Sequence, residues 1–273
     1  MSTNEKVIKE KVKEVYGNAI SQKKGSCCTS ASQSNVQFIG YQADTLKNIP
    51  KDSVENSFGC GNPLAFAEVK EGDVVLDIGS GAGIDTFIAS KSVGETGKVY
   101  GLDMTPQMIE KAKENAKQSG ITNVEYVLGE ADNIPLADNT VDWVISNCVI
   151  NLAPDKKKVF KEIYRVLKPG GRLAVSDILA DNLPSEILEN DYLYASCVAG
   201  AISEEEYVNA IKEAGFQNIN IPSKIVYDKE NLSMVFGDCF SGEISKSDLY
   251  QKYKEQIVGK ICSAKIEAVK LVK

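Results

Sequence analysis

Apolar positions recur at helical spacing through the first twenty residues, where Val7, Ile8, Val12, Val15, Tyr16, Ala19 and Ile20 mark one face of an amphipathic helix. The pattern then lapses. Residues 21 to 35, SQKKGSCCTSASQSN, are polar, serine-rich and almost without apolar anchors, which reads as a mobile loop. From residue 73 onward, short apolar runs alternate with helical periodicity. DVVLDIG (73–79), KVYGLDM (98–104), NVEYVLGEA (123–131), VDWVISN (141–147) and GRLAVSDIL (171–179) read as buried strands. Between them fall a helix to about Lys91, and a second with Thr105 as N-cap, Pro106 at its first position and Gly120 as its stop. A third, DKKKVFKEIYRVL, ends at Lys168-Pro169-Gly170-Gly171.

Residues 184–200 and 203–215 predict further helices, and one more is expected near 244–257. QNINIPSKIVYD (217–228) and KICSAKIEAVKLV (260–272) predict late strands that could add antiparallel edges. Alternation of this length implies an α/β fold: a Rossmann-like, mainly parallel sheet with helices on both faces, plus an appended C-terminal α+β region. The expected division is 1–58 for an N-terminal helix and Cys-containing loop, 59–180 for a nucleotide-binding core, and 181–273 for covering helices and the C-terminal region.

Composition removes several function classes. The 273 residues contain no histidine, so Ser-His and Cys-His nucleophile pairs, an imidazole base and a His-ligated metal are excluded. Net charge is −7, with only Arg165 and Arg172 as arginines, so no nucleic-acid partner is expected. The charged amino terminus is not a signal peptide, no segment is apolar enough for a bilayer, and a cytoplasmic setting follows as the expectation. Seven cysteines then read as thiols rather than as a disulfide framework.

Asp77-Ile-Gly79-Ser-Gly81-Ala-Gly83 lies where a strand gives way to a helix, with Asp103 at the end of the next strand, 24 positions beyond Gly79. Glycines let the backbone turn and approach a ligand, and an acid at that spacing suits two ribose hydroxyls. An adenosine-containing cofactor is implied. The spacing is G-x-G-x-G rather than the dinucleotide G-x-G-x-x-G. The Tyr-x-x-x-Lys pairs at Tyr164/Lys168 and Tyr250/Lys254 occur about as often as chance allows and at no plausible catalytic position, so an oxidoreductase is disfavoured.

The glycine run resembles motif I of the class I S-adenosylmethionine methyltransferases, and GEADNIPLADNTVDWV and VLKPGGRL resemble that family's later motifs. The resemblance implies that Asp77, Gly79, Gly81 and Gly83 cradle the methionine end and that Asp103 takes the ribose. It assigns the adenine to Glu130, Ala131 and Asp132, with Met104 and Asn147 as further cofactor contacts. FGCGNP, SNCVINL and SCVAGAI then resemble the arsenite methyltransferases, over roughly residues 41 to 200. Carried over by position, Cys60, Cys148 and Cys197 would be thiolates holding trivalent arsenic, with Cys27 and Cys28 matching a cysteine-containing amino-terminal loop more loosely. Cys239 and Cys262 read as structural, the latter on a core face with Ala264, Ile266 and Ala268.

The chemistry is coherent. Soft arsenic selects thiolate, and its own lone pair is the nucleophile, so transfer needs no general base. Expected partners are arsenite or its thiol complexes and an external reductant of thioredoxin or glutathione type. Alternatives are a methyltransferase acting on a small organic substrate, and a cysteine-based metal-binding or sensor protein.

Overall fold

The computed structural model describes residues 3–21, 41–47, 49–57, 59, 61–229, 232 and 246–272. A single seven-stranded sheet organises them, in the order β3-β2-β1-β4-β5-β7-β6. The strands are β1 (Val74–Ile78), β2 (Lys98–Asp103), β3 (Val124–Leu128), β4 (Val141–Asn147), β5 (Leu167–Ala180), β6 (Gln217–Val226) and β7 (Ile261–Val269). β1 to β5 pair in parallel, as the strand–helix alternation predicts. β7 runs antiparallel between β5 and β6, so the two late strands extend the same sheet.

Two apolar layers flank the sheet. Val75, Trp143, Ile145 and Ala174 face the helix α4 (Ile84–Val93), packing on Ala89 and Val93. Leu76, Val144, Leu173 and Val175 face the opposite side, where α6 (Lys156–Val166) and α9 (Glu204–Glu213) contribute Val159, Phe160, Ile163, Tyr207 and Ile211. Apolar residues at positions 159, 160, 163 and 166 give α6 one continuous buried stripe, and Asp155 caps it by accepting from the Lys158 N–H at 3.0 Å. α9 begins with a capping box between Ser203 and Glu206.

The remaining helices are α1 (Thr3–Ser21), the short α2 (Ala43–Leu46) and α3 (Lys51–Glu55), α5 (Pro106–Gln118), α7 (Ser185–Leu188), α8 (Asp191–Ala195) and α10 (Lys246–Ile257). A third apolar cluster joins Val12 of α1, Ile187, Leu193, and Tyr253 of α10 around Cys148 and Cys197. Cys262 is half-buried against the main core, in keeping with its expected place.

Three local expectations change. The single helix over 184–200 is two short ones, because the Asn190 side chain accepts from the Leu193 N–H at 3.1 Å and starts a new helix there. α6 stops at Val166, and the Pro-Gly-Gly stretch after it enters β5 with a register shift. Lys270 holds that stretch: its carbonyl accepts from Gly170, its N–H donates to Gly171, and its ammonium donates to the Tyr164 and Leu167 carbonyls. Thr105 stands at the α5 cap position, but its side chain makes no capping bond there; its N–H donates to Asp103 at 2.8 Å. The loop expected over 21–35 lies outside the described residues, apart from Ser21 at the end of α1.

Ile163 is fully buried in the main core. Ile163→Ala is expected to cost about 2–5 kcal/mol and lower the thermal midpoint by roughly 5–15 °C, as calorimetry would read, without altering the sheet.

Candidate cofactor cleft and cysteine site

β1 pairs with both β2 and β4, so the chain leaves the sheet in opposite directions on its two sides. A cleft, open at its mouth, lies at the carboxyl ends of these strands, where α/β sheets bind ligands. The glycine loop forms its floor. Gly79 and Gly81 line the cleft. Gly83 instead caps α4 at φ 101°, where an added Cβ would stand 2.7 Å from the Tyr126 hydroxyl, so its requirement is steric.

Carboxylates surround this loop. Asp77 is almost wholly buried, and its Oδ2, like the Ser80 hydroxyl, has no hydrogen-bond partner among the described residues. Asp103 accepts from the Gly81 N–H at 3.0 Å and from the Thr105 N–H, tying the end of β2 to the loop. Asp85, in the first turn of α4, also lines the cleft. Burial pushes the Asp77 carboxyl well above its ordinary range, and the charges of Asp85 and Asp103 act in the same direction. Burial raises Asp85 to about 6, against hydrogen bonds from Tyr41 and Asn147. Asp103 is raised by burial, with backbone donors opposing.

No basic side chain pairs with any of the three among the described residues. A pyrophosphate would be repelled here, whereas a cofactor with a sulfonium and an ammonium would be held. The orphaned Asp77 oxygen and the carboxylate ring therefore fit S-adenosylmethionine better than a dinucleotide.

At the other end of the cleft lie Met104, Glu130, Ala131 and Asp132. α1 closes over them. Lys9 donates to Asp132 Oδ1 at 2.7 Å and to Glu130 at 2.8 Å, with its side chain only 7% exposed. Burial drives the Lys9 ammonium down, but the two carboxylates outweigh it and hold it above its ordinary value. Farther along α1, the Tyr16 hydroxyl donates to the Ala195 carbonyl at 2.9 Å, two residues before Cys197.

Cys148 follows β4 and lines the cleft, and the Cys197 thiol donates to the Cys148 carbonyl oxygen. Both are buried. Five non-glycine residues among those described have positive φ: three are asparagines, and the other two are Cys148 (61°) and Cys197 (62°). A left-handed backbone costs about 1–3 kcal/mol at such residues and collects at functional sites. Cys148 is in a disulfide, which departs from the expectation that the cysteines are thiols, whereas Cys197 and Cys262 are thiols. Cys27, Cys28, Cys60 and Cys239 lie outside the described residues.

Behind the cysteines, Asp177 accepts from Asn151 at 2.8 Å, from the Ile178 N–H at 3.0 Å and from the Tyr207 hydroxyl at 3.0 Å. Burial pushes its carboxyl up to about 7 despite these donors.

Sequence reading found the glycine loop, Asp103, Met104 and the acidic run at 130–132. It missed Lys9, Tyr16, Tyr41, Ser80 and Asp85. An acid in the first turn of a helix reads as a dipole complement, and a lysine on an amphipathic helix reads as solvated, so neither carries a local signal.

A methyltransferase domain model matches residues 69–215. The structure superposes with TM-score 0.65 on an arsenic(III) S-adenosylmethionine methyltransferase from Chlamydomonas reinhardtii, at 30% identity over 87% of this chain and 73% of that one. The chain belongs to the arsenite methyltransferase family. The arsenite methyltransferase of Halobacterium salinarum is 45% identical over 73% of this chain, and that of Mus musculus 34% identical over 85%. Family membership does not extend to full length: the chain spans 51% of the Halobacterium relative and 64% of the mouse one. Within the family's class I fold, the cleft and the paired cysteines occupy one sheet edge.

A buried carboxyl with a raised proton affinity takes up a proton on folding. Its destabilisation therefore grows as pH rises from about 4, where the unfolded group ionises, to about 7, and is complete above that. Asp177→Asn keeps the acceptor for Asn151. It is expected to be more stable than the parent at pH 8, with the difference disappearing near pH 4, as denaturation across pH would read.

Proposed function

We propose that this chain moves the methyl group of S-adenosylmethionine onto trivalent arsenic held by the thiolates of Cys60, Cys148 and Cys197, giving methylated arsenicals. The observation that carries the reading is the hydrogen bond from the Cys197 thiol to the Cys148 carbonyl, both residues in the left-handed backbone, with Cys148 lining the cleft that the glycine loop floors. Asp77, Gly79, Gly81 and Asp85 are suited to the methionine end, Asp103 to the ribose, and Met104, Glu130, Ala131 and Asp132 to the adenine. When bound, the cofactor supplies an electrophilic methyl group on a sulfonium.

Arsenite is a neutral trihydroxide. Each thiol that binds it forms an As–S bond, and the thiol proton departs with a hydroxide as water. Arsenic keeps its lone pair, so no side chain has to remove a proton from the nucleophile, in keeping with a chain that lacks histidine. The protein's work is to hold the reactants in register and exclude water. Methyl transfer takes arsenic from the trivalent to the pentavalent state, and the Cys148 disulfide must be opened before Cys148 can bind. The transfer itself takes no outside electrons; returning arsenic to the trivalent state and opening the disulfide each take two, which an external dithiol or pair of thiols of thioredoxin or glutathione type would supply. That need supports a reducing, cytoplasmic setting, and no helix among the described residues is long and apolar enough to cross a membrane.

Cys27 and Cys28 are assigned the capture of arsenic and its delivery inward. α1 supports this, since it runs from Glu130 and Asp132 toward Ala195 and leads into their segment from the cysteine side. A small organic methyl acceptor is the second reading, favoured by demethylmenaquinone methyltransferases 33% identical over 53% of this chain.

With S-adenosylmethionine, arsenite and a thiol reductant, mass spectrometry is expected to find methylated arsenic. Cys60→Ser, Cys148→Ser and Cys197→Ser should each abolish it while S-adenosylhomocysteine still binds. Full activity in Cys148→Ser would overturn the site. Replacing Cys27 and Cys28 by serine together should slow methylation of free arsenite more than that of thiol-complexed arsenite, and equal slowing would count against the relay.

A further inference from the structure

One hydrogen-bonded chain runs from the cofactor cleft to the backbone N–H and carbonyl of Gly61, the residue that follows Cys60 in the sequence. Asp85 accepts from the Tyr41 hydroxyl at 2.8 Å through one oxygen and from Asn147 Nδ2 at 3.2 Å through the other. Asn147 Nδ2 also donates to the Gly61 carbonyl at 2.7 Å and to the Tyr41 hydroxyl at 3.0 Å, while Asn147 Oδ1 accepts from the Gly61 N–H at 3.1 Å. The amide thus pairs with both backbone groups of one residue, as a neighbouring strand would.

Glycine is required for that approach. A Cβ on Gly59 would stand 2.2 Å from Asn147 Nδ2, and one on Gly61 would stand 2.5 Å from the Ser176 Cβ. Gly59 and Gly61 therefore lie flush against Asn147 at the end of β4 and Ser176 on β5, and Tyr41, Asp85 and Asn147 are all buried.

We propose that Tyr41 and Asn147 are positioning residues that couple the two halves of the site, so that a cation in the cleft at Asp85 tightens the hold on Gly61 and readies the cysteines for arsenic. This rests on the cysteine-site reading above. The sharing of the Asn147 protons supplies the physical cause. The one Nδ2 group serves the Gly61 carbonyl, the Tyr41 hydroxyl and Asp85 together. Burial leaves Asp85 titrating near 6, with the Asp77 and Asp103 carboxyls close by and raised as well. A bound cation favours the carboxylate, which makes the stronger acceptor. A stronger bond from Asn147 to Asp85 fixes the amide plane, and with it the paired bonds to Gly61.

Coupling is reciprocal, so it can be read from binding alone. Phenylarsine oxide is titrated calorimetrically into prereduced protein, with and without saturating sinefungin, a cationic analogue of the cofactor. Sinefungin is expected to tighten arsenical binding at least about fivefold in the parent chain. The factor should fall toward one in Tyr41→Phe and Asn147→Ala, while sinefungin still binds Tyr41→Phe. Tyr41→Phe loses only a hydroxyl, so it decides the matter if Asn147→Ala fails to fold. An unchanged factor in Tyr41→Phe, or no coupling in the parent, overturns the proposal. Arsenical binding that survives combined loss of Cys148 and Cys197, or no binding by the parent, instead sinks the cysteine site on which the proposal rests.

Discussion

Where β1 lies between β2 and β4, the connections at its two edges part, and the gap they leave cannot be closed by the sheet itself. The candidate chemistry among the described residues gathers there. The glycine loop leaves β1, Asp103 ends β2, Cys148 follows β4, and Asp177 stands behind on β5. The parallel register fixes their relative heights, with Asp77 opposite Gly101 and Ile145, and Asn147 opposite Ser176. A slip of one residue in β4 would turn Asn147 away from Gly61 and carry the cysteine backbone with it.

Electrostatics sets the character of the cleft. Asp77, Asp85 and Asp103 stand close together in a buried setting, where ionising all three is unfavourable. At the opposite end the balance is reversed: Glu130 and Asp132 are answered by Lys9, Lys13 and Lys158. The cleft is therefore polarised along its length, with unanswered negative charge at the glycine loop and neutralised charge under α1. A ligand with a cationic head and a neutral aromatic tail matches that gradient in one orientation only.

Much of this was legible in the chain. Strand–helix alternation carried the topology, because each buried run of β-branched residues is bounded by glycine, proline or a cap. The glycine loop, Asp103 at the end of β2 and the place of Cys148 just after β4 were marked by position. What stayed hidden depends on contacts between distant residues. Lys9 meets Asp132 across 123 positions, and Asn147 meets Gly61 across 86. Nothing local marks those pairs. Pro169-Gly170-Gly171 misled for the same reason, since its place in β5 is decided by Lys270 at the far end of the chain.

The left-handed backbone at Cys148 and Cys197 has an evolutionary consequence. Asparagine or glycine would relax either position, as asparagine does at 139, 182 and 218. Neither offers a sulfur. On the arsenic-binding role proposed above, drift at these two sites runs downhill in folding energy and uphill in ligand chemistry, so cysteine would be kept there against stability. A lineage relieved of its soft-element substrate would be expected to lose these two residues early, with a sturdier fold as the trace left behind.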